Sequence, residues 1–131
     1  MRQAARVNAA RYAREHLMSW PGLTSGPASC CSEYCLRTGA VELVHFHEEQ
    51  EADVYLTRWM IAKLQPALSH STALRLRDSS GWVTVRLDVG SDIDLLVTLV
   101  SAALQAVTFA AEYSLPASDS DRCSRHRLPA P

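Results

Sequence analysis

Several short segments in the middle of the chain alternate apolar and polar residues, which is the pattern of β-strands. The alternation is clearest in residues 74–77 and 82–88. Residues 78–81, Asp-Ser-Ser-Gly, join these two segments and have the composition of a turn, so the pair is predicted to form a hairpin. Three earlier segments are also predicted as strands: 31–36, 41–47 and 53–56.

Side chains two residues apart on a strand share a face, so the alternation also predicts which residues lie together. In the 41–47 strand, His45 and His47 share one side, and Glu42 lies on the other. In the 82–88 strand, Val83 and its apolar partners are expected to face the helices. Trp82 is then placed on the opposite face of the sheet.

Two helices are predicted from apolar residues spaced three or four apart. The first covers residues 3–18. The second is a short middle helix that Thr57 can cap, and Pro66 should kink or end it. Residues 21–27 are rich in Gly, Pro, Ser and Thr and are predicted to be a connector between the first helix and the sheet.

A long apolar helix is predicted over residues 92–113, with Ser91 and Asp94 as a variant of the capping box. No charged residue lies between Asp94 and Glu112. The helix must therefore be buried on more than one side, pair with a second chain, or cross a membrane. Interruptions by Thr, Ser and Gln favour a core helix with a dimer face over a membrane span. The dimer face would be its second apolar stripe, Leu95, Leu99, Ala102, Ala106 and Phe109.

These elements predict an α+β fold, and they divide the chain into an N-terminal helix, an α+β domain and a tail. A small antiparallel sheet packs against an N-terminal helix, a short middle helix and a long C-terminal helix. The N-terminal helix occupies residues 1–19, and the α+β domain occupies residues 20–113. Residues 114–131 contain few apolar residues and are predicted to be a disordered tail.

The composition is that of an ordinary globular domain of 131 residues, with 47% apolar and 21% charged residues. A formal net charge of -1 argues against nucleic acid as a partner. The N-terminus lacks the pattern of a secretory signal, so we expect a cytoplasmic protein with reduced cysteines. The arginines that precede Glu15 are also typical of an organelle transit peptide, which is the alternative to a capping helix.

The histidine pair is the first candidate site. His45 and His47 project from the same side of a strand and are within reach of one metal ion, and Asp53 or Tyr55 on the next strand could be a third ligand. A zinc site at the cysteines is a rival interpretation, although Cys30-Cys31-x-x-x-Cys35 lacks the usual C-x₂-C spacing. Two polar strand residues without a metal are the third interpretation.

The second candidate site is a ligand pocket on the same sheet face. Trp82 and Arg86 share a face with Thr84 and could bind an anionic or aromatic ligand. The ligand-binding residues predicted in this way are His45, His47, Asp53, Tyr55, Trp82 and Arg86. The alternative is a solvated sheet face on which the tryptophan covers an edge.

The motifs of the commonest enzyme classes are absent from the sequence. It contains no G-x-S-x-G elbow, P-loop, dinucleotide fingerprint or H-E-x-x-H motif. Whether the protein is an enzyme therefore stays open at this point, and the sequence indicates no particular cofactor.

Four segments occur in an order that resembles one known family. They are Val44-His45-Phe46-His47, the segment Ala-Asp-Val-Tyr-Leu-Thr at 52–57, Ser-Gly-Trp-Val-Thr-Val-Arg-Leu at 80–87, and Asp-Ile-Asp-Leu-Leu at 92–96. In this order they are similar to the luciferase domain proteins, which are small domains of bacteria and fungi. The resemblance covers about residues 20–106.

The resemblance implies a compact α+β sheet with a histidine pair near the end of one strand. The family name suggests oxidation of a small organic substrate, but a fold or family does not by itself fix an activity. This chain differs from the family pattern in its cysteines. It also has Glu48-Glu49 where relatives often carry Gly or basic residues, which would alter a cavity suited to anions.

Three hypotheses follow from the sequence. The first is a domain that binds a small organic or anionic ligand on one sheet face. The second is an oxidoreductase or hydrolase assisted by a metal ion at His45 and His47. The third is a protein-interaction module that forms a homodimer through the 92–113 helix.

Overall fold

A computed structural model of the protein describes residues 11–27, 34–39, 41–47, 51–76 and 81–112. The first described element is helix α1, residues 11–18. The later elements are β1 (Thr24–Pro27), β2 (Tyr34–Thr38), β3 (Val41–His47), β4 (Glu51–Tyr55), α2 (Arg58–Leu68), β5 (Leu74–Leu76), β6 (Trp82–Arg86) and α3 (Gly90–Glu112). The predicted α+β fold is confirmed. The predicted tail and three of the four cysteines, Cys30, Cys31 and Cys123, lie outside the described residues.

The six strands form one sheet in the order β1-β2-β3-β4-β6-β5, and every neighbouring pair is antiparallel. The edge strand β1 lies in the segment that was predicted to be a connector, so that prediction was wrong. Its sequence, Thr-Ser-Gly-Pro, has little intrinsic preference for a strand. An edge position tolerates Pro27 because only one side of an edge strand must donate hydrogen bonds.

The core lies between one face of the sheet and the helices. Helix α3 packs against β3, β4 and β6 and also against α2. The sheet contributes residues that alternate along its strands, such as Val44, Val54 and Val83, and α1 contributes Ala13 and Leu17. The prediction that Val83 faces the helices is therefore confirmed.

The helix boundaries differ from the predicted ones at α2 and α3. Thr57 caps α2 as predicted, since its Oγ1 accepts the backbone N–H of Met60 at 3.2 Å. Pro66 does not end α2, which continues to Leu68. Helix α3 begins at Gly90, so Ser91 lies inside it and is not its cap. The carboxylate of Asp92 instead accepts the backbone N–H groups of the two residues before the helix, at 2.8 and 3.1 Å.

The buried side of α3 combines residues from both predicted stripes. It consists of Leu96, Leu99, Val100, Ala103 and Ala106. Leu99 and Ala106 were assigned to the dimer face, but they lie in the core of the single chain. Of the described helices, α3 is the one that is long and apolar enough to cross a membrane, a property that core helices of soluble proteins share.

Candidate functional site

A row of polar side chains crosses the middle of the sheet. Cys35, His45, Asp53 and Thr84 are successive cross-strand partners on β2, β3, β4 and β6. Side chains of directly paired residues lie on the same face, so the four form one line across the strands. This polar row lies on the opposite face from the core residues, because it alternates with them along each strand.

The polar row is buried although it does not face the helices. The exposed fraction is 0% for Cys35, His45 and Asp53 and 2% for Thr84. The sheet therefore has two buried faces, and the expectation of a solvated face was wrong. Burying a carboxylate and an imidazole costs free energy unless each is hydrogen-bonded, so the partners of these groups determine what the face can do.

Asp53 is the centre of a hydrogen-bond network that spans three strands. Thr84 Oγ1 donates to Asp53 Oδ1 at 2.6 Å. His47 Nε2 lies 2.8 Å from the other oxygen, Asp53 Oδ2, and an ionised carboxylate can only accept. The imidazole is thus held in one orientation by a carboxylate that is itself oriented by a hydroxyl. We call His47, Asp53 and Thr84 the Asp53 network.

His45 belongs to a different group of residues, although it is only two residues from His47. Its Nε2 lies 2.7 Å from Glu42 Oε1. Burial lowers the pKa of His45 below its usual value, and the hydrogen bond and charge of Glu42 oppose that shift. The buried imidazole therefore takes up a proton less readily than a histidine in water does.

The contact between Glu42 and His45 contradicts the alternation that was predicted for β3. Strict period two places residues three apart on opposite faces. In the structure the pairing of β2 with β3 shifts register between Leu36 and Arg37, which is a β-bulge. An extra residue in one strand changes the side on which the residues before it project, so Glu42 joins the face of His45.

Cys35 completes the group around His45. The Cys35 thiol, a Glu42 carboxylate oxygen and a His45 ring nitrogen all lie within 4.8 Å of one another. We call these three residues the thiol cluster. The predicted histidine pair is consequently divided between two groups, because His47 contacts Asp53 while His45 contacts Glu42.

Two aromatic rings lie against the polar row. The ring centre of Trp82 is 4.8 Å from that of His45 and 5.2 Å from that of Tyr55. Trp82 is fully buried, so it does not merely cover an exposed edge. Five of the six predicted ligand-binding residues are thus brought together on one face: His45, His47, Asp53, Tyr55 and Trp82.

The sixth residue, Arg86, lies at the margin of this face. It is exposed, and its Nε is 3.1 Å from the Asp88 carboxylate. Its cross-strand partner is Glu51, which in turn pairs with His47. Glu51 also forms a 2.6 Å ion pair with Arg75. A group of charged residues therefore borders the polar row on the side where His47 lies.

The matches with known proteins concern the part of the chain that carries most of these residues. Residues 41–103 match the family model described as Luciferase domain. This match supports assigning residues 41–103 to the luciferase domain family. The resemblance noted in the sequence is thereby confirmed. No curated protein and no solved structure matches the chain.

The matched residues, 41–103, run from β3 into α3 and contain the whole Asp53 network. Cys35 lies on β2, before the matched residues, so the thiol cluster combines a residue from outside the matched region with two from inside it. Sequence reasoning missed Glu42 as a site residue. The sequence carried no signal for it, because the bulge arises only when β2 and β3 pair.

Proposed function

We propose that this luciferase domain binds a small, planar organic ligand against the polar row, with the Asp53 network as its hydrogen-bonding element. The observation that carries the proposal is the buried hydrogen-bonded line from Thr84 through Asp53 to His47, next to the rings of Trp82 and Tyr55. The family match is consistent with it, because the matched residues include every one of these side chains.

The first argument for this proposal is energetic. A sheet face that serves stability alone is best filled with apolar side chains, because replacing buried ion pairs by packed apolar residues is often neutral or stabilising. Here a carboxylate and two imidazoles occupy the centre of a buried face. Polar groups that are costly to bury cluster at functional sites, which favours a binding role for this face.

The second argument is the combination of aromatic surface and directed hydrogen bonds. Ligand sites are usually lined by apolar and aromatic side chains with a few fixed polar groups that orient the ligand. Trp82 and Tyr55 supply flat apolar surface, and His47 supplies a polar group whose ring is held by Asp53. A planar molecule with a hydroxyl or carboxyl group matches both features.

The face reaches the surface next to His47. The side chain of His47 is 9% exposed, and the charged residues Glu51 and Arg86 adjoin it. An anionic substituent of the ligand would lie near the exposed guanidinium of Arg86. In this proposal Arg86 therefore keeps the anion-binding role that was predicted from the sequence.

A catalytic role for the same network is the second candidate function. An imidazole oriented by a buried carboxylate is the arrangement in which histidine takes a proton from a bound group. The Asp53 network has that arrangement, and it is the observation that favours acid–base chemistry on the bound ligand. A loss of conversion in His47→Gln that persists when the ligand is saturating would identify this role.

Tryptophan fluorescence can test the binding proposal directly. The chain has three tryptophans, so the double variant Trp20→Phe, Trp59→Phe leaves Trp82 as the only reporter. We expect saturable quenching with at least one probe among salicylate, 4-hydroxybenzoate and 4-hydroxycinnamate, after correction for probe absorbance. When His47→Gln is added, the affinity for the probe that is obtained from the quenching curve should fall by more than about tenfold.

The matched control keeps Trp59 as the only tryptophan, through Trp20→Phe and Trp82→Phe. Trp59 lies on α2, on the helix side of the sheet, and should report no saturable change. Folded protein that shows no saturable quenching of Trp82 with any of the probes would count against the proposal. Equal quenching in the Trp59 control would do so as well, because it would indicate nonspecific binding.

A further inference from the structure

The thiol cluster contains three different kinds of metal ligand on two adjacent strands. The geometry points to a divalent transition-metal site at Cys35, Glu42 and His45, and we propose zinc or a metal of similar chemistry as its occupant. The proposal does not depend on ligand binding at the Asp53 network, which uses other side chains.

The ligand atoms are close enough to bind one ion after small side-chain movements. All of them lie within 4.8 Å of one another. Around a tetrahedral zinc ion, with bond lengths of about 2.0–2.3 Å, ligand atoms are separated by about 3.3–3.8 Å. The 2.7 Å separation of His45 Nε2 and Glu42 Oε1 must therefore widen slightly, and the other separations must shrink by about 1.5 Å at most.

The chemical types of the ligands select the metal. Thiolate and imidazole favour zinc, cobalt and copper, whereas magnesium and calcium prefer sites made only of oxygen atoms. A thiolate and a carboxylate together carry two negative charges, and the imidazole binds metal in its neutral form. A divalent ion would make the buried cluster neutral overall, which reduces the cost of removing its charges from water.

The surroundings of the cluster fit the binding of a metal. Arg37 Nη2 lies 4.0 Å from the Glu42 carboxylate and also donates to the backbone carbonyl of Pro27. The arginine can thus hold one carboxylate oxygen while the other binds the ion, which is a role typical of residues that orient metal ligands.

The β-bulge between β2 and β3 is the structural feature that creates this site. Without the register shift, Glu42 would project toward the opposite face from His45. Bulges often redirect a side chain next to a functional site. Three protein ligands also leave one tetrahedral position for water or an added ligand, as in catalytic zinc sites.

Cobalt binding tests the site with a direct optical signal for a thiolate ligand. The protein is purified without a tag in the background Cys30→Ser, Cys31→Ser, Cys123→Ser, so that Cys35 is its only thiol. After treatment with a chelator, it is titrated with Co²⁺. We expect one ion per chain and a thiolate-to-cobalt charge-transfer absorption, both of which zinc should displace.

Single substitutions then assign the ligands. Cys35→Ser should abolish the charge-transfer absorption, and Glu42→Gln and His45→Gln should each weaken binding by more than about 100-fold. Loss of a residue that only orients a ligand lowers the metal affinity about 10–100-fold, and we expect a loss of this size for Arg37→Gln. His47→Gln is the matched control, and it should bind Co²⁺ as the parent does. Circular dichroism establishes that each variant is folded.

Two results would overturn the proposal. One is folded parent protein that binds no stoichiometric Co²⁺ or Zn²⁺. The other is a metal signal that survives Cys35→Ser and is lost in His47→Gln, because the ion would then lie at the Asp53 network. Where the first of these results is obtained, rapid alkylation of Cys35 by iodoacetamide would be informative. It would identify the cluster as a reactive thiol paired with a base.

Discussion

The carboxylate of Asp53 on β4 lies 2.8 Å from the Nε2 of His47 on β3, on a sheet face that does not contact the helices. Asp53 is completely buried, and its second oxygen accepts a hydrogen bond from Thr84 on β6. One carboxylate therefore links three strands. The same contact orients the imidazole and contributes to the stability of the sheet.

Asp53→Ala should destabilise the protein strongly. It removes the shared acceptor of the His47 imidazole and the Thr84 hydroxyl at a site from which water is excluded. Leaving a buried donor without its acceptor typically costs about 1–3 kcal/mol of unfolding free energy, and this change leaves two donors in that position. Thr84→Val removes only one of these hydrogen bonds and should cost about 1 kcal/mol. Urea unfolding followed by circular dichroism compares the two, and equal losses would show that the network does not stabilise the sheet.

The sequence was sufficient to predict much of the sheet and part of the site. The strand β3 covers residues 41–47, as the alternation predicted. The same alternation placed His45 and His47 on one face and Trp82 away from the core, and the structure confirms both. These predictions succeed because period two is a local property, and it holds over residues 44–47 of β3 and over β6.

The features that sequence reasoning missed depend on how the strands pair. Nothing within residues 41–47 indicates that Glu42 and His45 share a face, because the register shift requires β2 opposite β3. The edge strand β1 forms from Thr-Ser-Gly-Pro because β2 provides hydrogen-bond partners for it. The burial of the polar row was missed for a related reason. Alternating polar residues usually indicate a face in contact with solvent, and here they are buried.

The metal-free protein should lose stability as the pH falls below about 6.5, the usual pKa of a histidine. The folded-state pKa of His45 is lowered, mainly by burial. The unfolded chain therefore takes up a proton at a higher pH than the folded chain does, and protonation favours unfolding. Stability is fully present above pH 6.5 and is lost as the pH approaches the lowered pKa. Glu42 and Asp53 oppose the shift, while His47 adds to it.

Urea unfolding between pH 7.5 and 5.5, in the presence of a chelator, measures this dependence. His45→Asn should flatten the decline, because the residue that titrates has been removed. His16→Gln is the control, since His16 is exposed on α1 and should not change the slope. A decline of unchanged steepness in His45→Asn would assign the pH dependence to another group.

The two leucines at positions 95 and 99 should respond differently to truncation. Leu99 is 3% exposed and packs in the core, so Leu99→Ala should cost about 2–5 kcal/mol of unfolding free energy. Leu95 is only partly buried at the edge of the core, and Leu95→Ala should cost clearly less. Similar losses in thermal or urea unfolding would contradict the packing of α3.

This difference also determines how a dimer through α3 can be tested. Leu99→Glu would place a charge in the core and unfold the chain, so a loss of association in that variant would be uninformative. Leu95→Glu leaves the core residues in place. If α3 mediates self-association, sedimentation of the folded Leu95→Glu variant should show a lower oligomeric state than the parent at the same concentration.

Thr57 should be a position at which glycine is more stabilising than alanine. Its φ of 74° and ψ of 153° lie where a β-branched residue is strained by about 1–3 kcal/mol, and glycine adopts these angles freely. Thr57 also caps α2 through its Oγ1. Thr57→Ala loses the cap and keeps the strain, so its unfolding free energy should fall by about 1 kcal/mol. Thr57→Gly loses only a few tenths of a kcal/mol at the cap and relieves the strain. Its free energy of unfolding should therefore equal or exceed that of the parent.

The control for Thr57 is an ordinary position in the same helix. Ala62 is exposed within α2, and Ala62→Gly should cost about 1 kcal/mol because glycine is unfavourable inside a helix. Thermal unfolding of the variants at both positions should therefore rank glycine above alanine at position 57 and below it at position 62. A ranking with alanine above glycine at both positions would mean that the backbone at Thr57 does not have a positive φ. The turn from β4 into α2 would then differ from the one that brings the backbone N–H of Thr57 to the carbonyl of Gly81.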